Sequence, residues 1–243
     1  MTLADRTIVM TGGAGGIARA TAEILLNDGA LLHLIDPDGD GLEQLVADLD
    51  GGTRVTTAVS DIASPDACEA ALEVVKQPIY GLVHLAGVFL ADDLDSASRP
   101  IWNDVIAANL TNAFDMAAAC RPRLDGHESR MIFVSSVAFR RGSFDHIAYT
   151  AAKGGIVGLV RALAKKLGPN TLVNGLAPGI IETRMPEHLL AEERRRKVLI
   201  AETALKRFGQ PHEIGTVIQF LLGPGSSFIT GQVINVDGGV ANG

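Results

Sequence analysis

A tyrosine and a lysine lie four positions apart in the segment HIAYTAAKGG, residues 146–155. On a helix surface residues i and i+4 are neighbours, so the phenol of Tyr149 and the ammonium of Lys153 would lie side by side. Two interpretations are open. The pair is either a cation packed on an aromatic ring at the surface, or an acid whose pKa is tuned for proton transfer. An isolated pair more often reflects surface packing, so the rest of the chain must decide.

A glycine-rich segment near the N-terminus, TGGAGGIARA at residues 11–20, could bind a phosphate group. Glycines such as Gly12, Gly15 and Gly16 let the backbone turn sharply and approach a ligand without a Cβ clash. The helix predicted to follow offers unpaired N–H groups and the positive end of its dipole to a pyrophosphate. A glycine cluster alone is a weak signal. This one follows a predicted strand and opens a predicted helix, which is the context that dinucleotide binding requires.

An acidic residue, Asp36, ends the next apolar run, ALLHLID, at the expected spacing after the glycine loop. A carboxylate there accepts both ribose hydroxyls of an adenosine and repels a 2′-phosphate. Alternatively, Asp36-Pro37-Asp38-Gly39 is only a turn, for which these residue types are well suited. Neither Ala14 nor Gly15 supplies a base for a 2′-phosphate. Because position and spacing agree, we expect NAD as the cofactor, with NADP less favoured.

Seven short apolar runs alternate with stretches of helical periodicity. The apolar residues of each run are continuous, as in strands buried on both faces. The predicted strands are residues 7–11, 30–36, 54–60, 80–86, 130–135, 171–176 and 232–236. The predicted helices are residues 17–27, 42–49, 64–75, 102–120, 149–167 and 213–222, and Ser64-Pro65 supplies the cap and first-turn proline of the third.

This alternation predicts an α/β fold, a doubly wound, mostly parallel seven-stranded sheet flanked by helices. No linker divides the chain and no repeat is apparent, so we expect a single domain over residues 1–243. Ligands of such sheets bind beyond the carboxyl ends of the strands, where the candidate residues fall.

Composition narrows the classes of partner. The net charge of −7 and pI near 5.3 argue against nucleic acid or an anionic membrane. Cys68 and Cys120 lie alone in alanine-rich segments, so we expect buried thiols in a reducing compartment and no metal site. No apolar leader follows a basic start, and no apolar run of about 18 residues suggests a membrane span. We therefore expect a cytoplasmic protein.

Several separated motifs together resemble the classical short-chain dehydrogenase/reductase family, from Thr11 to Gly239. TGGAGGIA is similar to the family's Thr-Gly-x-x-x-Gly-x-Gly loop, and HLAG at 84–87 occupies the place of its Asn-Asn-Ala-Gly motif. NGLAPG at 174–179, RFGQPHEI at 207–214 and ITGQVINVDGG at 229–239 complete the pattern. Within the family the chain is most similar to members resembling 3-oxoacyl-carrier-protein reductases.

The resemblance implies a Rossmann-type fold, a site and an assembly. The implied catalytic residues are Asn109, Ser136, Tyr149 and Lys153. The implied cofactor contacts are Gly12, Gly15, Gly16, Ile17, Asp36, Asp61, Ile62, Ala86, Gly87, Tyr149, Lys153, Pro178, Gly179, Ile180 and Thr183. It further implies a homotetramer (or dimer), with the helix of Tyr149 and the C-terminal segment at the interfaces.

The sequence departs from the family pattern twice. Ala18 replaces the last glycine of the first motif, and we expect its methyl group to be tolerated where helix meets strand. His84-Leu85 replaces two asparagines. An amide that would tie neighbouring strands is therefore missing at Leu85, and we expect packing to supply the stability there.

If Tyr149 does chemistry, its pKa should be lowered. A free tyrosine has a pKa near ~10, and a neighbouring ammonium and an oxidised nicotinamide both favour the phenolate. A shift of about two to three pKa units corresponds to roughly 3–4 kcal/mol, which two cations in a partly dry site can supply. Lys153 would provide one of these charges and also donate to the nicotinamide ribose.

Three segments are expected to shape the substrate site: residues 88–95, 138–146 and 180–200, the last as a lid. Candidate substrate contacts are Phe139, Phe144, His146 and Met185, with Leu189 and Leu190 as further lid residues. Two roles for His146 stay open. It donates to a substrate oxygen or joins proton transfer, or it is a half-exposed histidine beside the pocket.

The leading hypothesis is an NAD(H)-dependent oxidoreductase that interconverts a secondary alcohol and a ketone of a small or medium molecule, with Tyr149 as acid and base. One alternative is an NADP(H)-dependent reductase of 3-oxoacyl thioesters, although Asp36 disfavours NADPH. Another is a non-catalytic dinucleotide-binding regulator, which would be expected to have lost a catalytic group.

Overall fold

Seven strands pair side by side in the computed structural model, which describes residues 3–49, 51–183 and 193–241. The strands are β1 (Thr7–Thr11), β2 (Leu31–Asp36), β3 (Val55–Val59), β4 (Ile79–His84), β5 (Ser129–Val134), β6 (Thr171–Pro178) and β7 (Val233–Val236). Their order is β3-β2-β1-β4-β5-β6-β7, and every pairing is parallel. The predicted doubly wound sheet is confirmed.

Both faces of the sheet are covered, which explains the continuous apolar runs. All five residues of β1 are buried. Ile8 and Met10 belong to one apolar cluster, whereas Val9 between them belongs to the other. Since neighbouring residues of a strand point to opposite faces, a central strand needs apolar side chains at every position.

Nine α-helices connect the strands in the described ranges. They are α1 (Gly16–Asn27), α2 (Gly39–Asp48), α3 (Pro65–Ala71), α4 (Arg99–Ile106), α5 (Asn112–Cys120), α6 (Ala138–Arg141), α7 (Ile147–Leu167), α8 (Glu193–Glu202) and α9 (Pro211–Leu222). Ser64 caps α3 by accepting the Ala67 N–H at 3.1 Å, as predicted, but α3 ends at Ala71, earlier than expected.

The single helix predicted for residues 102–120 is wrong. One turn of π-helix, Ala107–Thr111, separates α4 from α5. The cause is a side chain: Asn109 Nδ2 donates to Val105 O at 3.0 Å, and this carbonyl is the α-helical acceptor for the Asn109 backbone N–H. The ladder therefore widens at Asn109. Single π-turns of this kind are frequent at functional sites.

Helix α7 corrects the expectation that no segment could cross a membrane. Among the described helices it alone is long and apolar enough by length and composition. That criterion is weak, because core helices also meet it. Here α7 packs against β6 and α4, and it buries Ile156, Val157 and Val160. Its apolar character is therefore accounted for by the core.

Candidate active site

The strand order reverses between β1 and β4, which opens a cleft at the carboxyl ends of the sheet. Gly12 follows β1, Asp36 ends β2, Gly87 follows β4, Ser136 follows β5 and Gly179 follows β6. The fold thus brings the predicted residues from five strands to one end of the sheet.

The glycine loop is shaped so that only small residues fit. Gly12 has φ +67°, and a Cβ there would lie 2.9 Å from Ala86 N. A Cβ on Gly16 would lie 3.0 Å from the Thr183 methyl carbon. The predicted cofactor residues Gly12 and Ala86, and likewise Gly16 and Thr183, are therefore in contact. The methyl group of Ala18 is buried in the core, as expected.

The start of α1 fits an anionic group. Its N-cap, Gly15, has no side chain to bond the first N–H groups, and its first turn carries no acid. In contrast, α2 is capped by Asp38 and α3 by Ser64. Uncapped N–H groups at the positive end of a helix dipole suit a pyrophosphate. The residues present therefore fit a dinucleotide, and Ile17 lies in this first turn.

Asp36 is both a turn residue and a fixed carboxylate beside the loop. Its Oδ2 accepts the Ala14 N–H at 3.1 Å, and its Oδ1 accepts the Asp38 N–H at 2.9 Å. None of the ion pairs formed within the described ranges includes Asp36. Arg19 of α1 is paired with Asp48 at 2.6 Å. The carboxylate therefore keeps an unneutralised charge at the end of β2.

Two of the implied cofactor contacts, Asp61 and Ile62, are neighbours, and the backbone is strained at Ile62. Ile62 has φ +47°, which is unusual for a β-branched residue. Its N–H donates to Ser60 Oγ at 3.1 Å, and Asp61 Oδ1 accepts the Ala63 N–H at 3.1 Å. Ile62 is only 3% exposed and packs in the core. The structure therefore shows Ile62 as a core residue, with Asp61 exposed beside it.

The segment after β6 runs back towards the glycine loop. The Gly179 N–H donates to Val236 O at 3.0 Å, and Ile180 O accepts the Gly209 N–H at 2.9 Å. Pro178 O accepts the Val137 N–H at 3.0 Å, so the ends of β6 and β5 are also joined. Residues 178–183 therefore run from the end of β6 to the start of α1, where Thr183 contacts Gly16.

The end of β5 holds Lys153 by both ends. Ser135 Oγ donates to Lys153 O at 2.7 Å, and Lys153 Nζ donates to Val134 O at 3.0 Å. Ser136 Oγ accepts the Ala138 N–H at 3.2 Å and lies close enough to the Tyr149 hydroxyl to lower its pKa. Lys153 Nζ lies 5.5 Å from the centre of the Tyr149 ring. Ser136, Tyr149 and Lys153 therefore converge.

Burial governs the electrostatics of this pair. It raises the pKa of Tyr149, and the nearby Ser136 hydroxyl offsets only part of this. It lowers the pKa of Lys153 to about 8. Lys153 Nζ donates to Val134 O, and desolvation disfavours the phenolate, so the protein's own groups hold the pKa of Tyr149 above its ordinary value. The expected lowering also counted the charge of an oxidised nicotinamide and stays a prediction. Burial in the protein alone therefore favours the protonated phenol of Tyr149 and disfavours the charged form of Lys153.

Asn109 contributes an available acceptor next to Lys153. It is 1% exposed, and its Nδ2 donates to Val88 O at 2.9 Å as well as to Val105 O. Its Oδ1 makes no hydrogen bond to any described residue. A Cβ on Gly87 would collide with this Oδ1 and lie 3.4 Å from Lys153 Nζ. Glycine is therefore required where Asn109 and Lys153 meet.

Leu85 packs against one of the apolar clusters, as expected, and His84 adds a hydrogen bond between the strands beside it. Its Nδ1 lies 2.9 Å from Thr11 Oγ1, which accepts the Ala86 N–H at 3.2 Å. Its other ring nitrogen, Nε2, is buried near the Asn112 amide and makes no well-formed hydrogen bond to a described residue. Burial, together with Lys153, lowers the pKa of His84 to about 3. A neutral imidazole therefore joins β1 to β4.

The predicted substrate contacts lie in different environments. His146 is 2% exposed, so the half-exposed interpretation is wrong. Phe139 is half-buried and contacts Arg140, whose guanidinium carbon lies 4.9 Å from its ring centre, whereas Phe144 is 97% exposed. Met185, Leu189, Leu190 and part of the expected lid at 180–200 lie outside the described residues.

Sequence analysis did not single out four residues near the site, although two of them lie in the predicted segment 88–95. They are Phe89, Asp92, Asn112 and Ser135. For Ser135, the signal was its place at the end of a strand beside Ser136. Asp92 lies in an acidic run, ADDLD, that is typical of a solvated loop, yet it is 9% exposed. Nothing local distinguished Phe89 or Asn112.

Comparison with known proteins gives the family. A family model described as Enoyl-(Acyl carrier protein) reductase matches residues 12–241. A short-chain dehydrogenase/reductase from Brucella melitensis, glucose/ribitol dehydrogenase, has a solved structure that superposes with a TM-score of 0.94 at 38% identity, covering 100% of both chains. The chain belongs to the short-chain dehydrogenase/reductase family.

The names of two other relatives mention a substrate or a cofactor. This short-chain dehydrogenase/reductase is 34% identical to the 3-oxoacyl-[acyl-carrier-protein] reductase FabG of Thermotoga maritima, over 99% of each chain. Its structure resembles that of a single-residue variant of actinorhodin polyketide ketoreductase with NADPH, with a TM-score of 0.91 at 26% identity over 98% of each chain.

Family and site together give the reaction class. The protein is an oxidoreductase that acts on CH–OH groups with a nicotinamide dinucleotide, and its resemblance to 3-oxoacyl-carrier-protein reductases is confirmed. In the ranges 3–49, 51–183 and 193–241, no group of three or more His, Cys, Asp or Glu side chains could hold a metal ion.

Proposed function

We propose that this short-chain dehydrogenase/reductase interconverts a secondary alcohol and a ketone, with NAD(H) as its preferred cofactor. The observation that carries the proposal is the buried Tyr149 hydroxyl, which lies beside Ser136 and one helical turn from Lys153. A protonated phenol in this position serves as an acid in reduction and, once deprotonated, as a base in oxidation.

Each side chain has a distinct role in the proposal. Tyr149 Oη gives a proton to the substrate oxygen in reduction and takes it in oxidation. Ser136 Oγ holds that oxygen and the phenol in line. Lys153 Nζ supplies positive charge and donates a hydrogen bond to a ribose hydroxyl. Asn109 Oδ1, which meets Lys153 at Gly87, is available to accept a hydrogen bond. The dinucleotide supplies or receives the hydride.

Asp36 supports the NAD(H) preference. Its carboxylate is fixed by Ala14 and Asp38 and is not neutralised by any described base. A 2′-phosphate placed at this carboxylate would meet like charge, whereas the two hydroxyls of an unphosphorylated ribose would find acceptors.

A second candidate is an NADP(H)-dependent reductase of 3-oxoacyl thioesters. The relatives favour it over the first: one is named for a 3-oxoacyl-carrier-protein substrate, and another structure contains NADPH. Asp36 opposes the cofactor half of this candidate, but nothing in the described part of the cleft opposes the substrate half.

The experiment compares NADH with NADPH on acetoacetyl-CoA and on a panel of simple ketones and secondary alcohols. We expect kcat/KM to be higher with NADH by about 10-fold or more. Tyr149→Phe should lower kcat by about 10²- to 10⁴-fold and keep NADH binding. Preference for NADPH with turnover confined to the thioester would establish the second candidate. NADH binding without turnover of any substrate would instead indicate a regulator.

We also propose a cytoplasmic homotetramer (or dimer), as the family resemblance implies, with α7 and the C-terminal segment at the interfaces. Large apolar side chains are exposed on the described surface: Phe114 on α5, Phe220 on α9, and Phe228 just before β7. Light scattering should give a mass of four or two chains, and a monomer at micromolar concentration would contradict this.

A further inference from the structure

We propose that Phe89, Asp92 and His146 are positioning residues that fix the first turn of α7 and so hold the Tyr149 hydroxyl against Ser136. The inference rests on the proposed role of Tyr149. It replaces the idea that His146 binds substrate or transfers protons.

Three rings from two segments form a continuous stack. The Phe89 ring lies parallel to the His146 ring, with centres 3.8 Å apart and planes 5° apart. The same Phe89 ring meets the Tyr149 ring edge to face, with centres 4.8 Å apart and an angle of 82°. Both arrangements are favourable for aromatic pairs. Tyr149 therefore cannot tilt without displacing Phe89, and Phe89 is held by His146.

The helix that carries Tyr149 does not cap itself. His146 occupies the N-cap of α7 without a side-chain capping bond, and the first turn contains no acid. Asp92 supplies the cap from another segment: its Oδ2 accepts the Ala148 N–H at 3.0 Å. A carboxylate at this place also interacts favourably with the helix dipole.

Asp92 is attached on its other side as well. Its own N–H donates to Asp145 O at 2.9 Å, immediately before α7. Phe89 and Asp92 lie in one short segment, so residues 89–92 contact the chain from residue 145 to Tyr149 through two ring contacts and two hydrogen bonds. Asp92 is only 9% exposed. Its hydrogen bond to the first turn of α7 explains why a carboxylate is buried there.

His146 is better suited to packing than to chemistry. It is 2% exposed, one face of its ring is covered by Phe89, and its Nδ1 lies 3.2 Å from Ser143 Oγ. A ring that acts by its shape can be replaced by another ring, whereas a ring that donates or accepts protons cannot.

The first experiment therefore compares His146→Phe with His146→Ala, using kcat and the Kd for NADH. We expect His146→Phe to keep kcat within about 3-fold, and His146→Ala to lose about 10- to 100-fold in kcat with Kd little changed, since small displacements of a reacting group cost this much. His127→Ala, an exposed histidine, is the matched control. Equal loss in both His146 variants, or none in His146→Ala, overturns the proposal.

The second experiment separates the Asp92 hydrogen bond from its charge. Asp92→Asn keeps an oxygen that accepts the Ala148 N–H, and we expect it to retain most of kcat. Asp92→Ala should lose about 10-fold or more in kcat, with NADH binding kept. The exposed neighbour Asp93→Ala controls for charge. Wild-type kcat in Asp92→Ala, or equal loss in both Asp92 variants, overturns the role of this cap.

Tyr149→Phe serves as the reference in both experiments. If it is as active as the wild type, the proposed function fails and the positioning role fails with it. If it is inactive while His146→Ala and Asp92→Ala are fully active, only the positioning role fails. Urea unfolding of each variant identifies any that do not fold, and Phe89→Leu then provides a milder disturbance of the same stack, expected to lower kcat with NADH binding kept.

Discussion

Thr11 Oγ1 and His84 Nδ1 lie 2.9 Å apart, on adjacent strands that are distant in the sequence. Thr11 begins the glycine loop, and His84 ends the strand that leads to Gly87, beneath Asn109 and Lys153. One buried, neutral imidazole therefore joins the glycine loop to the strand that leads to Gly87, where Asn109 and Lys153 meet. In the family pattern the place of His84 belongs to asparagine.

Lowering the pH should destabilise the fold, because His84 is buried in its neutral form. Its folded pKa is about 3, below the ordinary 6.5, so between these values the unfolded chain binds a proton that the folded chain does not. Wild-type stability therefore falls as the pH drops below 6.5. Between pH 6.5 and 5 the loss attributable to His84 is about 2 kcal/mol. In His84→Asn, urea unfolding at pH 7.5 and 5 should show a correspondingly smaller decrease, whereas the exposed-residue control His127→Asn should match wild type. Parallel curves for all three would exclude this account.

Gly12→Ala should lower the stability of the fold by more than the cost of placing alanine in the left-handed region. A left-handed alanine costs about 1–2 kcal/mol, and the contact with Ala86 N adds about 1–3 kcal/mol. Gly126→Ala is the matched control, because Gly126 has φ +82° and a Cβ there would have nothing within 4 Å. Urea unfolding and NADH fluorescence should show a larger loss of stability, and loss of binding, for Gly12→Ala alone. Similar behaviour of the two variants would contradict the steric argument.

Lys153→Met should stabilise the fold and abolish catalysis. The Lys153 pKa of about 8 lies below the ordinary 10.5, so burying its charge costs up to about 3 kcal/mol below pH 8. Removing the charge should raise Tm at pH 7 by about 2–4 °C per kcal/mol recovered. Because the folded wild type sheds this proton first, its deficit should shrink as the pH rises from 8 towards 10.5. A variant less stable than wild type at pH 7 would show that the bond to Val134 outweighs desolvation.

Ser136→Ala should shift a pH profile as well as lower a rate. The nearby Ser136 hydroxyl lowers the pKa of Tyr149, so without it the pKa rises. Oxidation needs the phenolate, and the rising limb of kcat/KM against pH should move to higher pH. The kcat should fall by about 10²- to 10³-fold, as for the loss of one polarising donor. An unmoved limb would sink the proposed contact between Ser136 and the reacting phenol.

Asp36 variants test the cofactor preference. Asp36→Ala removes the charge and both acceptors, so the ratio of kcat/KM for NADH over NADPH should drop by about 10-fold or more. Asp36→Asn keeps an acceptor and removes only the charge, and it should recover NADPH use with less loss of NADH use. An unchanged ratio in both variants would refute the argument from repulsion.

The sheet could be predicted from the sequence because its signals are local. A buried central strand needs apolar side chains on both faces. The runs at 7–11 and 171–176 can therefore be recognised as strands from the sequence alone. The break in the helix at Ala107–Thr111 could not be predicted this way. It depends on the Asn109 amide reaching Val105 O and Val88 O, and no local pattern specifies that choice.

The candidate site shows the same division. Tyr149 and Lys153 were recognisable because i and i+4 spacing sets their proximity. The raised pKa of Tyr149 in the protein alone could not be predicted, because no spacing reveals how strongly burial disfavours the phenolate. Asp92 was missed for a related reason: its partner, Ala148, is 56 residues away, so nothing in the sequence marks it as a buried cap.

The central place of β1 has a consequence for synthesis. In the finished sheet β1 is protected between β2 and β4, but its bond to His84 spans 73 residues. A nascent chain that has emerged only as far as β3 would therefore expose β1 as an apolar edge strand, a form prone to pairing with other chains. We expect the chain up to the end of β3 to bind no dinucleotide alone and to need the ribosome or a chaperone until β4 has been synthesised.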